Sequence, residues 1–325
     1  MTSVRARALR LIPYGVFDAA TNMAIDEALL ELHLQGKTPA TLRFYGWEPA
    51  AVSFGYSQKV SPRTVEKVRA AGYDAVRRPT GGRAVLHEGE LTYCFVGAGP
   101  KQDGIDFRPD DEIANAAPSY WLEQGSPYEG FLPGSINQAY KEICDALIYG
   151  LRELGVAASL GRSNSAYKDY EDCFQATTQA DLQFEGKKIV GSAQLRRRHG
   201  VLQHGSIMIN QSQTKLSEIF GLAERESKAI APENKTEGSL SLSETSDCDA
   251  EAAEKADRHC NLIDVLTNGY DRTTLEEAIG RGFTRKFNCH FAVYELTDEE
   301  MELVEKLKSD KSRYQIDGIP RKIET

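Results

Sequence analysis

The sequence predicts an α/β chain of the α+β type, with a largely antiparallel or mixed sheet flanked by helices. Three observations predict it. Five short runs of strand character follow one another between Thr41 and Val96, and several connections are too short for a helical crossover, which argues against a doubly wound sheet. A second group of strand-like runs, punctuated by turn residues, lies between residues 180 and 209. Amphipathic helical patterns stand before, between and after the two groups.

The first element is "FDAATNMAIDEALLELHLQG", which reads as a helix. Asp18 or Thr21 caps its start, Ile25, Ala28, Leu29 and Leu32 share one face, and Gly36 ends it. The strand-like runs "TLRFYGW", "AAVSFGYS", "YDAVRR", "RAVLH" and "ELTYCFV" come next. From Gly97 to Ser135 the periodicity fails. That stretch is rich in Gly, Pro and acids and reads as a long surface excursion of the kind that serves as a lid.

"INQAYKEICDALIYGLRELG" is an amphipathic helix with Ile136, Tyr140, Ile143, Leu147, Leu151 and Leu154 on one stripe and Gly155 as its C-cap. Strands are expected at about 180–184, 187–195 and 201–209, with turns at "EGK" and "RRRHG". Past Gly221 the chain becomes polar, charged and Ser-rich, with little to bury, and residues 223–259 read as a flexible insertion. Order returns in 260–325. "TTLEEAIGRGF" is a short helix, and "LTDEEMELVEKLKSD" is another, with Thr297 and Glu300 as a capping box and Met301, Val304 and Leu307 inward. No internal repeat is visible.

The totals bound the function. At 325 residues and 41% hydrophobic, the chain has enough apolar material for a sizeable core. A net charge of −9 makes nucleic acid a poor partner, because phosphate binding needs a basic face. No apolar run reaches the roughly 20 residues of a membrane span, and the N-terminus has no apolar segment followed by a small-residue cleavage site. These readings predict a soluble, cytoplasmic protein. The six cysteines form no CxxC and no zinc-finger spacing, so no metal site is expected.

Four stretches carry chemistry. In "RRPTGGRAVLH", Gly81 and Gly82 let the backbone approach a ligand closely, while Arg77, Arg78 and Arg83 add recognition of phosphate or carboxylate. The plainer alternative is a hairpin turn with solvated arginines. No Gly-Lys-Ser/Thr follows, so it is not a Walker A loop, and no helix follows, so it is not a dinucleotide fingerprint. In "EGKKIVGSAQ", Lys188 shares a strand face with Val190, Ser192 and Gln194, so one lysine of the pair points inward. Gly191, Ser192 and Ala193 are small and leave room beside the strand. "LQHGS" places His204 on a strand as a base, a ligand or a packed polar residue. Cys173, in "DYEDCFQATTQADL", lies in a polar segment, unlike Cys94 and Cys144, which fall on core patterns. Its neighbours Glu171 and Asp172 would raise its pKa unless a lysine or histidine offsets them.

Taken in order, "NMAIDEALL", "RRPTGGRAVLHEGELTY", "CF…TQADLQFEGKKIVGSAQLRR" and "VLQHGSIMI" resemble the lipoate/biotin protein ligase superfamily, and within it the LipM-type octanoyltransferases. The resemblance covers residues 10–221 well and the C-terminal helices loosely; the 223–259 insertion lies outside it. ATP-dependent ligases of the superfamily usually carry a third glycine where this chain has Arg83. Residues 1–222 would then be the catalytic domain and 260–325 a helical extension packed on it. The resemblance implies a mixed, mainly antiparallel sheet flanked by helices, as in the biotin protein ligase catalytic domain. It implies transfer of an octanoyl group from octanoyl-acyl carrier protein to a lysine of lipoyl domains, those of the 2-oxoacid dehydrogenases and the glycine cleavage H protein, in lipoate biosynthesis.

The resemblance implies that Cys173 is the acyl-accepting thiol and that Lys188 would sit beside the acyl carbonyl. Arg77, Arg78, Thr80, Gly81, Gly82, Arg83, His87, Gly191, Ser192, Ala193 and His204 would line the substrate site. Neither ATP nor a metal is required on this reading. Three alternatives stay open: an ATP-dependent lipoate–protein ligase, an amidotransferase between lipoyl-domain proteins, and a non-catalytic binder of acyl groups or lipoyl domains. Docking of acidic partners is expected at the basic triplet Arg196, Arg197 and Arg198.

Overall fold

The structure is a computed structural model, and it describes residues 7–99, 131–161, 181–211, 214–220, 259–267 and 269–316. The expected insertion, most of the expected lid and Cys173 lie outside the described residues.

In chain order the elements are β1 (Arg7–Phe17), α1 (Ala19–Leu34), β2 (Thr41–Trp47), β3 (Ala51–Phe54), α2 (Pro62–Ala70), β4 (Asp74–Arg77), β5 (Val85–His87) and β6 (Glu90–Ala98). Then come α3 (Ile136–Glu153), β7 (Ser159–Leu160), β8 (Leu182–Phe184), β9 (Lys187–Arg197), β10 (Gly200–Met208) and α4 (Thr214–Phe220). The C-terminal region adds α5 (Leu262–Val265), α6 (Arg272–Phe287), β11 (Cys289–Val293), α7 (Asp298–Ser309) and α8 (Lys311–Tyr314).

Eight strands form one sheet in the order β11-β1-β2-β6-β10-β9-β8-β7. β11, β1 and β2 run parallel to one another, and every other pairing in this sheet is antiparallel. Three strands, β4-β3-β5, make a second, smaller sheet. The architecture is the mixed, mainly antiparallel one the sequence predicts. The β9–β10 hairpin turns at Arg198 and His199, with Arg198 at φ 52, and β8–β9 turns at Glu185 and Gly186, both at positive φ.

Strand alternation divides the core into two layers. Leu42, Phe44, Leu91, Tyr93, Phe95, Val201 and Ile207 point to the face covered by α3 and α6. Tyr45, Cys94, Val96 and Leu202 point to the opposite face, covered by α1 and α7. Helix α1 is capped by Asp18, which accepts from the Thr21 amide at 2.8 Å, and it is buried almost all round. The sequence shows one apolar face; the structure also buries Asn22, Asp26, Glu27 and His33, because the sheet lies on one side and α7 with α8 on the other.

Polar residues in this layer are held by partners distant in sequence. Arg10 of β1 meets Glu300, the capping-box glutamate of α7, at 2.5 Å. Glu27 accepts from Arg313 and the Tyr314 hydroxyl at 3.0 and 2.9 Å, and from Arg197. Two members of the expected basic docking triplet already have internal partners. Arg197 bridges to Glu27 and Glu31 of α1, and Arg196 donates to the carbonyl of Gly134, so internal acceptors already hold two of the three cations.

His33 gives a pH prediction. It is buried and its Nδ1 lies 2.7 Å from the Thr38 carbonyl, so that nitrogen donates. Burial drives its pKa down from 6.5 to about 4. Between those values the unfolded chain binds a proton that the folded chain refuses, so stability falls as pH drops from about 6.5 to about 4. Thermal unfolding of wild type and His33→Asn at pH 7 and pH 4.5 checks this. The variant should lose less stability between the two pH values; equal losses would contradict it.

Candidate active site

Where the small sheet meets the α1 face of the large one, a cleft opens. The empty space between its walls, open mouth included, is about 410 Å³. The small-sheet side supplies Ser53 from β3, Arg78 from the end of β4, and Val85 and His87 from β5. The large sheet supplies Tyr45 and Trp47 (β2), Thr92 (β6), Gly191, Ser192 and Ala193 (β9) and His204, Gly205 and Ser206 (β10). Met23 of α1 completes the lining.

Sequence positions predicted for the site are therefore brought together from three motifs: Arg78 and His87, Gly191–Ala193, and His204. The remaining positions stand around the cleft. Arg77 is buried, and its Nη1 donates to the carbonyls of Gly55, Tyr56 and Gln58 at 2.8, 3.0 and 3.0 Å. Arg78 donates to the carbonyls of Gly81 and Arg83 at 2.8 and 2.7 Å and to the Ser53 carbonyl and hydroxyl at 3.1 Å. The two guanidinium groups thus fix the loops on either side of the glycine pair. Gly82 is exposed at φ 100, a conformation that side chains resist, and its carbonyl would lie 2.0 Å from a Cβ on Gly55. Gly81 is exposed and Arg83 half-buried. Arg78 thus holds the glycine turn's backbone from behind, and Arg77 holds the neighbouring 55–58 loop.

Thr80 and His204 belong to one buried chain. Thr80 Oγ1 lies 2.7 Å from His204 Nε2, and His204 Nδ1 lies 2.9 Å from Asp26 Oδ2. Asp26 also accepts from Arg43 and the Tyr45 hydroxyl, both at 2.8 Å. Burial alone would raise the Asp26 carboxyl, but the His204 hydrogen bond and the Arg43 charge overcome it and hold the group below its ordinary value. Arg43 in turn donates to Asn22 Oδ1 at 2.6 Å and stacks over the Tyr45 ring at 3.9 Å.

A second chain runs through His87. Its Nδ1 lies 2.5 Å from Glu90 Oε1 and its Nε2 2.7 Å from Ser53 Oγ. The ring stacks on Trp47 with centroids 3.9 Å apart. Trp47 Nε1 donates to Thr92 Oγ1 at 2.8 Å, and Thr92 donates to Glu90 Oε1 at 3.2 Å. Burial pushes the His87 imidazole below its ordinary 6.5, with Glu90 opposing, so the ring is neutral at neutral pH.

Beneath the cleft floor, Tyr93, Ser192, Gln203 and Gln194 form a third polar row across β6, β9 and β10. Gly205 is required there, since a Cβ would lie 2.4 Å from the Gly191 carbonyl. Lys188 is buried, as the strand alternation predicts, and its Nζ lies 2.9 Å from Asp181 Oδ1. It is not among the residues that line the cleft.

Sequence reading missed Ser53, Glu90, Asp26, Arg43 and Trp47. Arg43 gave a signal, a charge set between Leu42 and Phe44 in a strand; Asp26 gave another, a charge within an apolar helix. Among the described residues no group of three His, Cys, Asp or Glu side chains could hold a metal, and no helix is long and apolar enough to cross a membrane.

Comparison with known proteins bears on this cleft. A family model described as the lipoyl protein ligase A/B catalytic domain matches residues 18–113 and 127–261. Octanoyltransferase LipM of Anoxybacillus flavithermus is 32% identical over 316 residues, 95% of this chain and 96% of that protein. Octanoyltransferase LipM of Kyrpidia tusciae is 33% identical over 92% of this chain and 94% of its own, and that of Bacillus subtilis 30% over 93% and 94%. Among solved structures, a lipoate-protein ligase A bound with ATP superposes with a TM-score of 0.61 at 21% identity, covering 94% of this chain and 95% of that one. A chain from the bi-partite lipoate protein ligase and E2 lipoyl domain system of Thermoplasma acidophilum gives 0.63 at 21%, covering 99% and 100%. At these identities the structural likeness is one of fold.

Proposed function

The chain belongs to the lipoyl protein ligase A/B catalytic-domain family, and from that premise we propose that it is an octanoyltransferase that takes its acyl group from octanoyl-acyl carrier protein. The acceptor is a lysine of a lipoyl domain, in the 2-oxoacid dehydrogenases or the glycine cleavage H protein. The observation that carries the reading is the meeting of three separate motifs in one cleft, in a chain similar over nearly its whole length to octanoyltransferases. The reaction belongs to the cytoplasm, where the four described cysteines would stay the free thiols they are.

The chemistry has two halves. Cys173 attacks the carrier's thioester and becomes acylated; the acceptor lysine then attacks the acyl-enzyme and releases the thiol. Thioester exchange is nearly isoenergetic and the amide is the more stable product, so no nucleotide is consumed. Gly191, Ser192 and Ala193 wall the slot for the alkyl chain, because their small side chains leave space beside β9. Lys188, which rests in its buried pair with Asp181 outside the cleft lining, would have to leave that pair to orient the acyl carbonyl and favour the Cys173 thiolate by its charge. The turn at Gly81 and Gly82, pinned by Arg78, and the 55–58 loop, pinned by Arg77, hold one wall at a fixed distance from the other.

Intact-protein mass spectrometry tests the reading. The protein is mixed with octanoyl-acyl carrier protein and no ATP, then digested. An octanoyl adduct, removed by hydroxylamine and mapped to Cys173, is expected. Transfer that starts only when ATP and free octanoate are supplied would make the chain a ligase.

A further inference from the structure

Two hydroxyl–imidazole–carboxylate chains stand on the walls of the cleft, and they differ in one respect. In Thr80–His204–Asp26 the carboxylate is already paired with Arg43 at 2.8 Å. In Ser53–His87–Glu90 it is not. The Glu90 side chain is 1% exposed, and among the described residues no lysine or arginine forms an ion pair with it. Its Oε2 is buried and has no hydrogen-bond partner there. A buried carboxylate in that state is stabilised by any cation that appears beside it. The group placed to become that cation is the His87 ring, 2.5 Å away.

The polarity of the chain follows from its partners. Glu90 accepts, so His87 Nδ1 carries the proton and Nε2 is the free base. Ser53 then donates to Nε2 at 2.7 Å while accepting from Arg78 Nη1 at 3.1 Å. Ser53 and His87 line the cleft, so the open end of this chain is a hydroxyl beside the acyl slot, next to a guanidinium that would stabilise negative charge on its oxygen.

Resting on the acyl-enzyme reading above, we propose that Ser53–His87–Glu90 is the proton relay of the second half-reaction, in which the acceptor amine displaces the thioester. The uncharged amine attacks the acyl carbonyl, and a nitrogen–carbon bond forms. As it does so, a proton leaves the nitrogen for Ser53 Oγ, and the Ser53 hydroxyl proton passes to His87 Nε2. The carbon–sulfur bond breaks with its electron pair on sulfur. The imidazolium, held by Glu90, then returns its proton through Ser53 to the departing thiolate. Thioester exchange in the first half-reaction makes no nitrogen–carbon bond and needs no such acceptor for an amine proton, so the relay serves the two halves unequally.

The test measures the two halves separately by quenched mass spectrometry: acylation by octanoyl-acyl carrier protein, then aminolysis of the isolated acyl-enzyme by a lipoyl domain. His87→Asn keeps a donor toward Glu90 and removes Nε2; Ser53→Ala cuts the chain and leaves the ring stacked on Trp47. Both variants are expected to slow aminolysis about 10²-fold more than acylation, the lower range for general acid–base catalysis. Below the pH at which the relay histidine loses its proton, the wild-type aminolysis rate should climb more steeply with pH than the His87→Asn rate, because it needs both a free imidazole and a free amine; above that pH the two should climb in parallel as free amine accumulates. The groups facing His87 that shape this profile are Glu90 on β6, Arg78 beyond β4 and His204 on β10. Equal slowing of both halves in the two variants, or aminolysis unaffected in both, would overturn the relay alone. A wild-type protein that forms no adduct would overturn the acyl-enzyme reading and the relay with it.

Discussion

Cys173→Ser should remove the thioester adduct and lower octanoyl transfer by at least about 10³-fold, the scale on which loss of a nucleophile is felt. The buried thiols cannot replace it. Cys94 and Cys144 are both buried, and burial pushes the Cys94 thiol well above its ordinary value and the Cys144 thiol up to about 12. Asp26 beside Cys94 and Asp181 near Cys144 push in the same direction. At neutral pH neither gives useful thiolate, and thiolate is the nucleophile. Cys289 is buried as well. Cys144→Ala should therefore leave transfer at the wild-type level, which makes it the control. Steady-state transfer to a lipoyl domain decides the matter: wild-type turnover by Cys173→Ser would end the covalent reading, and an adduct found on Cys260 instead would relocate it.

The fold was legible wherever the pattern is local. Alternation and turn residues identify β2 to β6 and β8 to β10, and the Thr297–Glu300 capping box marks the start of α7. What escaped was set by distant partners. β1 reads as mixed polar and apolar because Arg10 lies within it, and only Glu300, 290 residues away, explains how that arginine is buried. β11 is five residues inside a region that reads as helical, and it exists because β1 offers it a parallel edge. Helix α2 carried a signal that went unused, Ser61 as cap with Pro62 after it, and it is the crossover that lets β3 and β4 run parallel.

The site divides in the same way. His87, His204 and the small residues of β9 were legible as motifs because each departs from what a plain strand needs. Ser53 and Glu90 were not, since a serine or glutamate in a short strand looks like its solvated face. Only the meeting of β3, β5 and β6 reveals that both touch one imidazole. The arginines show the converse. Arg77, Arg78, Arg196 and Arg197 read as a surface for anions, yet their donors meet carbonyls and carboxylates of the chain itself.

Lys188 is the residue at which structural and chemical roles most need separating. Its ion pair with Asp181 is buried on both sides, with side chains 1% and 3% exposed. Lys188→Met would strand the carboxylate and should cost about 3–5 kcal/mol of stability, because a lone buried charge loses its compensation. Loss of transfer in that variant alone would prove nothing. Lys188→Met combined with Asp181→Leu removes both charges, and such replacements are often neutral or stabilising. The double variant should therefore recover most of the lost stability in chemical denaturation. Transfer should stay down by about 10²–10³-fold, the cost of removing one donor that stabilises an acyl oxyanion. Recovery of both would mean that Lys188 only closes the strand β9 against Asp181. Recovery of stability without transfer requires a cation at this position for the chemistry, and the buried pair is then the resting state from which that cation is drawn.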